Sequence, residues 1–531
     1  MTTFDLIIFV LYLAGIVLFG ISFYRKGRSS DDYSTGSGTL PAWVIGLSIF
    51  ATFVSSISYL ALPGAAYLSN WNAFVFSLSI PVAIFMAIRF FIPLYRSVGS
   101  PSAYTWLERR FGPWAKNYVA IFWLLTQVMR VAVILYLLAL PMYVILGWDM
   151  RIIIAITGAS VMAYSILGGI KAVIWTDAVQ AVLLISGALV AFGSLLFALP
   201  EGPGQYIDVA MRHDKFSLGS FGTSLTESTF WVVFIYGIFI NLQNYGIDQN
   251  YIQRYMSARN EKEAISSALG GGLLYIPVSL LFFMIGTGLF VYYMAFPDLL
   301  PAEFTEAGMS DSIFPWFIVH GLPSGVTGLV IAAIFAAGMS TISTSLNSGA
   351  TVILNDLYKP YRSSVSKEEA LRLLYASSAV ICLLGISISF FIIRVESALD
   401  VWWNLAGIFS GGMLGLFLLG YFARRVTNMA AVTAVVAGLL VIIWMTLSPV
   451  YFEGSWAPYA NPLHSYMTIV VGTLVIFFVG FLITLFTSGR YRTSPMETDA
   501  PVMEEGAEPQ KVEDDSQIAT INRRTGGREV V

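Results

Sequence analysis

The chain of 531 residues is 57% hydrophobic and only 11% charged, and its mean hydropathy is +0.74; soluble domains carry roughly 45–50% apolar and about 25% charged residues. These values exclude a water-soluble fold, and the formal net charge of −3 tells less than where the charges lie. One cysteine, Cys382, excludes a disulfide framework, and three scattered histidines give no metal-ligand spacing.

The apolar runs are continuous and long enough for membrane-spanning helices, without the alternation of a transmembrane barrel, so the predicted fold is an all-α integral membrane protein. Thirteen spans are predicted near 4–23, 42–68, 72–95, 118–147, 151–169, 175–199, 229–250, 264–295, 324–355, 371–394, 400–423, 430–448 and 464–487. The first has no basic residue before it and Arg25, Lys26 and Arg28 after it. Loops after odd-numbered spans carry most of the remaining Lys and Arg, among them Arg109, Arg110, Arg254, Arg259 and Lys262; the other side has only Arg151, Arg212, Lys215 and Arg394. The positive-inside rule then puts the N-terminus outside and the C-terminus in the cytoplasm.

Several spans are interrupted by polar groups, which need a reason where an unsatisfied backbone costs several kcal/mol. Span two clusters Thr52, Ser55, Ser56 and Ser58 near its middle, where the chain can unwind and offer oxygen ligands. Span four carries Arg130 between LLTQVM and VAVILYLL, a charge that must face the interior and meet either a protein carboxylate or a substrate carboxylate. Asp177, at the start of span six, reads equally as an interfacial helix cap or as an ion ligand. Span seven is broken by Asn241, Gln243, Asn244 and Gly246. Interrupted spans five apart in order suggest two inverted five-helix repeats around a central site, with small-residue packing as the alternative. Span nine sets Ser340, Thr341, Ser343, Thr344, Ser345, Asn347 and Ser348 within one apolar run; hydroxyls with at most one carboxylate suit a weakly held monovalent cation better than calcium. Beyond 487 the chain is acidic and rich in Pro and Glu, and is read as a disordered cytoplasmic tail.

Taken together, DDYSTGSGTLPAWVIGLSIFATFVSSISYLALPGAAY, TWLERRFG, QVMRVAVILY, LGGIKAVIWTDAVQ, QNYIQRYM and IAAIFAAGMSTISTSLNS with NDLY resemble the sodium:solute symporter family, and within it the bacterial sialic acid transporters. The resemblance implies a LeuT-type fold: a transporter domain over 1–487 with an extra helix at 4–23, repeats at 42–199 and 229–423, two peripheral helices at 430–487, and the tail at 488–531. It implies a main sodium site from the carbonyls of Ala51, Val54 and Ala337 and the hydroxyls of Ser340 and Thr341, the latter often serine in relatives. A second sodium site found in part of the family maps to Asp177, Ser340, Ser343 and Thr344. For a carboxylated substrate it implies Arg130 with Ser55 and Ser58, next to Thr52. The branch's phenylalanine and glutamine on the following helix appear as Ala73 and Ser77, and neutral-sugar members place a lysine where Leu273 stands, which argues against a glucose or galactose site.

The expected activity is therefore sodium-coupled import, across the inner membrane, of a small carboxylated solute such as N-acetylneuraminic acid, or of another sugar, organic acid or amino acid. Sodium is the expected coupling ion and the bilayer the expected surroundings; no nucleic acid and no obligatory protein partner is expected. A channel would need a carbonyl filter or continuous polar pore, and an intramembrane enzyme would need paired acids or a nucleophile beside a base; neither is visible. A transporter-like sensor is the remaining alternative.

Overall fold

The computed structural model of the protein describes residues 2–25, 28–305, 312–393 and 412–487. Thr2 and Asp5 form a reciprocal cap that starts α1 (Thr3–Ile21). Asp5 also accepts the backbone N–H groups of Gly325 at 2.6 Å and Gly328 at 3.1 Å, at the beginning of α16 (Val326–Val352). A carboxylate on those free N–H groups satisfies a helix start and favours its dipole, so one residue sets α1 against the central helix.

After the short α2 (Ser30–Thr35), the second span divides into α3 (Ala42–Phe53) and α4 (Ser56–Leu68), bent by 55°. Val54 and Ser55 between them are extended, with φ/ψ of −79°/115° and −108°/173°. Residues 71–98 follow as α5 (Val75–Leu78), α6 (Ile80–Met86) and α7 (Ile92–Val98), with α8 (Thr105–Phe111) leading into α9 (Pro113–Leu146).

Spans five and six are not separated by a loop. They are the two arms of one 48-residue element, α10 (Met150–Phe197), folded at Gly169 with φ +63° and ψ −161°. A Cβ there would lie 2.9 Å from the Arg28 guanidinium and 3.1 Å from the Tyr33 ring, so both the backbone angle and the space require glycine. Past α11 (Pro203–Arg212), span seven ends earlier than expected. Asp248, extended at −77°/125°, separates α12 (Phe230–Ile247) from α13 (Gln249–Ser257) and caps the latter through Asn250 N.

The rest is α14 (Glu261–Ala295), α15 (Ile313–His320), α16, α17 (Lys367–Ile392), α18 (Gly412–Phe422), α19 (Asn428–Tyr451) and α20 (Met467–Thr487). Among the described residues ten helices are long and apolar enough to cross a membrane, besides the broken α3–α4 pair. The span read at 400–423 begins outside the described residues, and α18 is its second half; the expected tail lies outside them entirely. Every residue of α16 from Val330 to Val352 is buried, which makes it the axis of the bundle. With α16 central, its hydroxyls have only other helices to face.

The helix break and its buried charges

The α3–α4 break lies against the hydroxyl-rich stretch of α16. Ser340 Oγ donates to the Ala51 carbonyl at 3.0 Å and to its own Ala337 carbonyl at 2.9 Å; Thr341 Oγ1 reaches Ala337 O at 3.1 Å. Four of the five residues predicted for the main sodium site thus share hydrogen bonds, and the fifth, Val54, is the buried extended residue at the end of α3. Hydroxyl and carbonyl oxygens without an acid suit a monovalent ion.

Asp177 is no helix cap, because it lies inside the second arm of α10 and is fully buried. Its Oδ2 accepts Ser48 Oγ of α3 at 2.6 Å and Arg254 Nη2 of α13 at 2.6 Å, while Oδ1 has no hydrogen-bond partner. Arg254 also donates through Nη2 to Thr344 Oγ1 at 2.6 Å, through Nε to Ser48 Oγ at 2.7 Å and through Nη1 to Asn250 O at 2.7 Å. Ser343 Oγ turns back onto the Ser340 carbonyl at 3.0 Å. The expectation that Arg254 belongs to a loop is therefore corrected: it is buried, and so are its neighbours Gln249, Asn250 and Gln253. Hydropathy assigned these polar residues to a loop. The signal was their spacing, which with Ser257 gives α13 one polar face toward α3, α10 and α16. Gln253 donates to Asn347 at 2.7 Å, and Gln127 of α9 accepts from both Asn250 and Ser345.

Arg130, on α9, points at the same break: Nη2 donates to the Thr52 carbonyl at 3.3 Å. It makes no ion pair within 4.0 Å among the described residues, although Asp248 lies within its electrostatic reach. Ser55 is buried, and its side chain caps nothing; Ser58 is half-buried beside Tyr275. Phe53 stacks on Tyr245 at 5.5 Å and packs on Tyr275 at 4.4 Å, placing an aromatic wall beside these hydroxyls.

Ser77 and Ala73 are placed differently. Ser77 Oγ pairs with Ser279 Oγ at 2.8 Å, and Ala73 packs on the Ala66, Phe74 and Phe283 cluster. Leu273, where neutral-sugar members place a lysine, is 41% exposed on the outer side of α14, so its identity carries no information about a central pocket. Asn241 serves packing, donating to Phe76 O and Ser79 Oγ.

The family model described as Sodium:solute symporter family matches residues 33–438. The chain belongs to the sodium:solute symporter family. Membership makes sodium its coupling ion and the chain a multi-pass membrane transporter. Two relatives are the sodium/sialic acid symporters NanT of Aliivibrio fischeri and SiaT of Proteus mirabilis. The first is 34% identical, covering 89% of this chain and 91% of its own; the second is 33% identical, covering 88% and 92%. A solved structure of a substrate-bound, outward-open sodium-coupled sialic acid symporter superposes with a TM-score of 0.84 at 30% identity, over 91% of this chain and 98% of that one. Mhp1, a nucleobase-cation symporter, shares the fold alone, with a TM-score of 0.56 at 13% identity.

Proposed function

We propose that the protein imports N-acetylneuraminic acid or a closely related carboxylated sugar with sodium, by alternating access. The observation that carries the substrate class is Arg130, a charge directed at the helix break with no carboxylate within ion-pair distance among the described residues. A guanidinium in such a setting selects a planar carboxylate, which it can hold with two parallel hydrogen bonds. Ser55, Ser58 and Thr52 flank it, and relatives with sialic acid in their names cover most of the chain. In place of the larger groups expected beyond the carboxylate stand Ala73, packed in an apolar cluster, and Ser77, paired with Ser279; this favours another organic anion as the second reading.

The main sodium ion sits among Ala51, Val54, Ala337, Ser340 and Thr341, bracing α3 against α16. The second site, Asp177 with Ser340, Ser343 and Thr344, exchanges cations. Arg254 holds Oδ2 of Asp177 and the Thr344 hydroxyl, and two positive charges cannot share one buried carboxylate cheaply. Sodium there therefore binds as Arg254 withdraws. The two repeats run over 42–199 and 229–423, with Val54–Ser55 and Asp248 as their paired interruptions. The chain lies in the inner membrane with the N-terminus outside and the C-terminus in the cytoplasm, works without an obligatory protein partner, and transforms no substrate.

The test is uptake of labelled N-acetylneuraminic acid by proteoliposomes with an inward sodium gradient, repeated with potassium in its place. Accumulation in sodium alone is expected. Uptake indifferent to sodium overturns the coupling, and failure of the acid to accumulate while sodium still stabilises the protein moves the substrate to another anion.

A further inference from the structure

A groove of about 670 Å³ runs between α3 and α14, lined among others by Trp43, Gly46, Leu47, Glu263, Gly270 and Leu274. Its floor is a line of very close helix contact: a Cβ on Gly271 would lie 2.3 Å from the Gly46 carbonyl oxygen. Beside that line the space is open, since a Cβ on Gly270 would meet nothing within 4 Å. The rim is apolar and faces outward, with Trp43, Leu269 and Leu273 exposed. Trp43 stands edge-on to Trp175 at 5.7 Å, the kind of aromatic pair that belongs at the membrane–water boundary. One end of the groove therefore lies at headgroup depth and the other within hydrocarbon.

At the headgroup end stand two opposite charges. Arg259 Nη1 and Glu263 Oε1 are 3.8 Å apart, too far for a tight pair, and the arginine is more than half exposed. Arg259 has otherwise one long bond, 3.4 Å from Nε to Thr39 O. Glu263 Oε2 is buried with no hydrogen-bond partner. With its side chain 27% exposed at the mouth of an apolar trough and only the loose contact to Arg259, this carboxylate is under-satisfied and open to an N–H from outside the chain. The fork of Arg259 beside it is free for an anionic oxygen. Lys262 and Glu261 are exposed on the same turn and cancel in charge, and the Arg96 guanidinium is taken up by the carbonyls of Tyr255, Ala258 and Arg259.

We propose that this groove binds phosphatidylethanolamine, with one acyl chain along the Gly46–Gly270 trough, the phosphate on Arg259 and the ammonium on Glu263. The headgroup's two charges match the two on the protein in sign. An anionic phospholipid satisfies only Arg259 and sets its phosphate against Glu263, while a trimethylated choline has no N–H to offer. Because α3 carries Ala51 and leads into Val54 at its inner end, a lipid wedged against it favours whichever transport state keeps α3 closest to α14.

The test uses the purified full-length protein, stripped of lipid in detergent and offered phosphatidylethanolamine, phosphatidylcholine or phosphatidylglycerol with identical acyl chains. Retention is read by native mass spectrometry and by the shift in Tm. The wild type is expected to retain phosphatidylethanolamine about tenfold better than either alternative. Glu263→Gln keeps the shape and is expected to lose the preference over phosphatidylcholine; Gly270→Phe, which fills the trough, is expected to lose retention altogether. Sodium stabilisation of both variants reports that they are folded. Equal retention of the three lipids by the wild type, a preference for phosphatidylglycerol, or an undiminished preference in Glu263→Gln overturns the proposal.

Discussion

Arg130 and Arg254 are both cations inside the bundle, yet the structure gives them opposite prospects under mutation. Arg254 and Asp177 are both fully buried and paired at 2.6 Å, so Asp177→Asn leaves a guanidinium without its counter-charge. Breaking such a pair costs about 3–5 kcal/mol, whereas replacing both partners with neutral groups is often near neutral. Thermal unfolding should accordingly show a large loss of stability for Asp177→Asn and recovery of most of it in Asp177→Asn/Arg254→Met; a double variant as unstable as the single one would mean that the pair is not the source. Arg130 has one 3.3 Å bond to a carbonyl and is only half-buried. Its removal is expected to leave folding intact and to weaken binding of a carboxylated substrate by about 2 kcal/mol or more, roughly 30-fold. Wild-type affinity in Arg130→Ala would refute the clamp. A mid-span arginine is legible in a sequence because nothing else explains it. Arg254 was not, because it follows a polar stretch at the end of a span, where charges ordinarily mark a loop.

At the scale of elements, the α3–α4 break is held by few groups: Val54 and Ser55 are extended, and the Ala51 carbonyl, freed at the helix end, is met by Ser340 of α16. Free carbonyls at such a break are costly in a membrane unless something satisfies them, and a sodium ion at the proposed site would do so together with Ser340 and Thr341. Sodium is therefore expected to slow hydrogen exchange of the amides around 51–58 while leaving the outer helix α19 unchanged. Ser340→Ala and Thr341→Ala should each raise the half-activating sodium concentration about 3- to 10-fold, in keeping with about 1 kcal/mol for a lost hydroxyl contact, and should abolish the protection. Exchange that ignores sodium would place the ion elsewhere. The interruption in span two was legible from its clustered hydroxyls. That in span seven was misplaced, because Asn241 and Gln243 looked like the break while Asp248, a helix cap, makes it.

For the whole molecule, spans were legible because a bilayer demands about 20 apolar residues per crossing. The boundary at 169 was legible too, but the loop expected over 170–174 is absent, because a single glycine at positive φ breaks α10 without one. What the bundle must do as a unit is couple two ligands through one equilibrium, and this coupling is reciprocal. If sodium tightens substrate binding by some factor, substrate tightens sodium binding by the same factor; couplings of 1–3 kcal/mol make it about 5- to 150-fold. With two linked sodium ions, log Kd for N-acetylneuraminic acid should fall with log sodium concentration at a slope near −2 below saturation; with one, near −1. The Arg254–Asp177 pair makes these alternatives separable, since a second ion at the proposed site would compete with a guanidinium and the first would not. Calorimetric titration across sodium concentrations is expected to give a slope between −1 and −2 in the wild type, closer to −2 as sodium displaces Arg254. Asp177→Asn/Arg254→Met, which removes both the carboxylate and its competitor, should give −1. A double variant with the wild-type slope would take Asp177 out of ion coupling and leave it a structural partner of Arg254. An affinity independent of sodium in the wild type would remove the linkage on which the whole transport cycle depends.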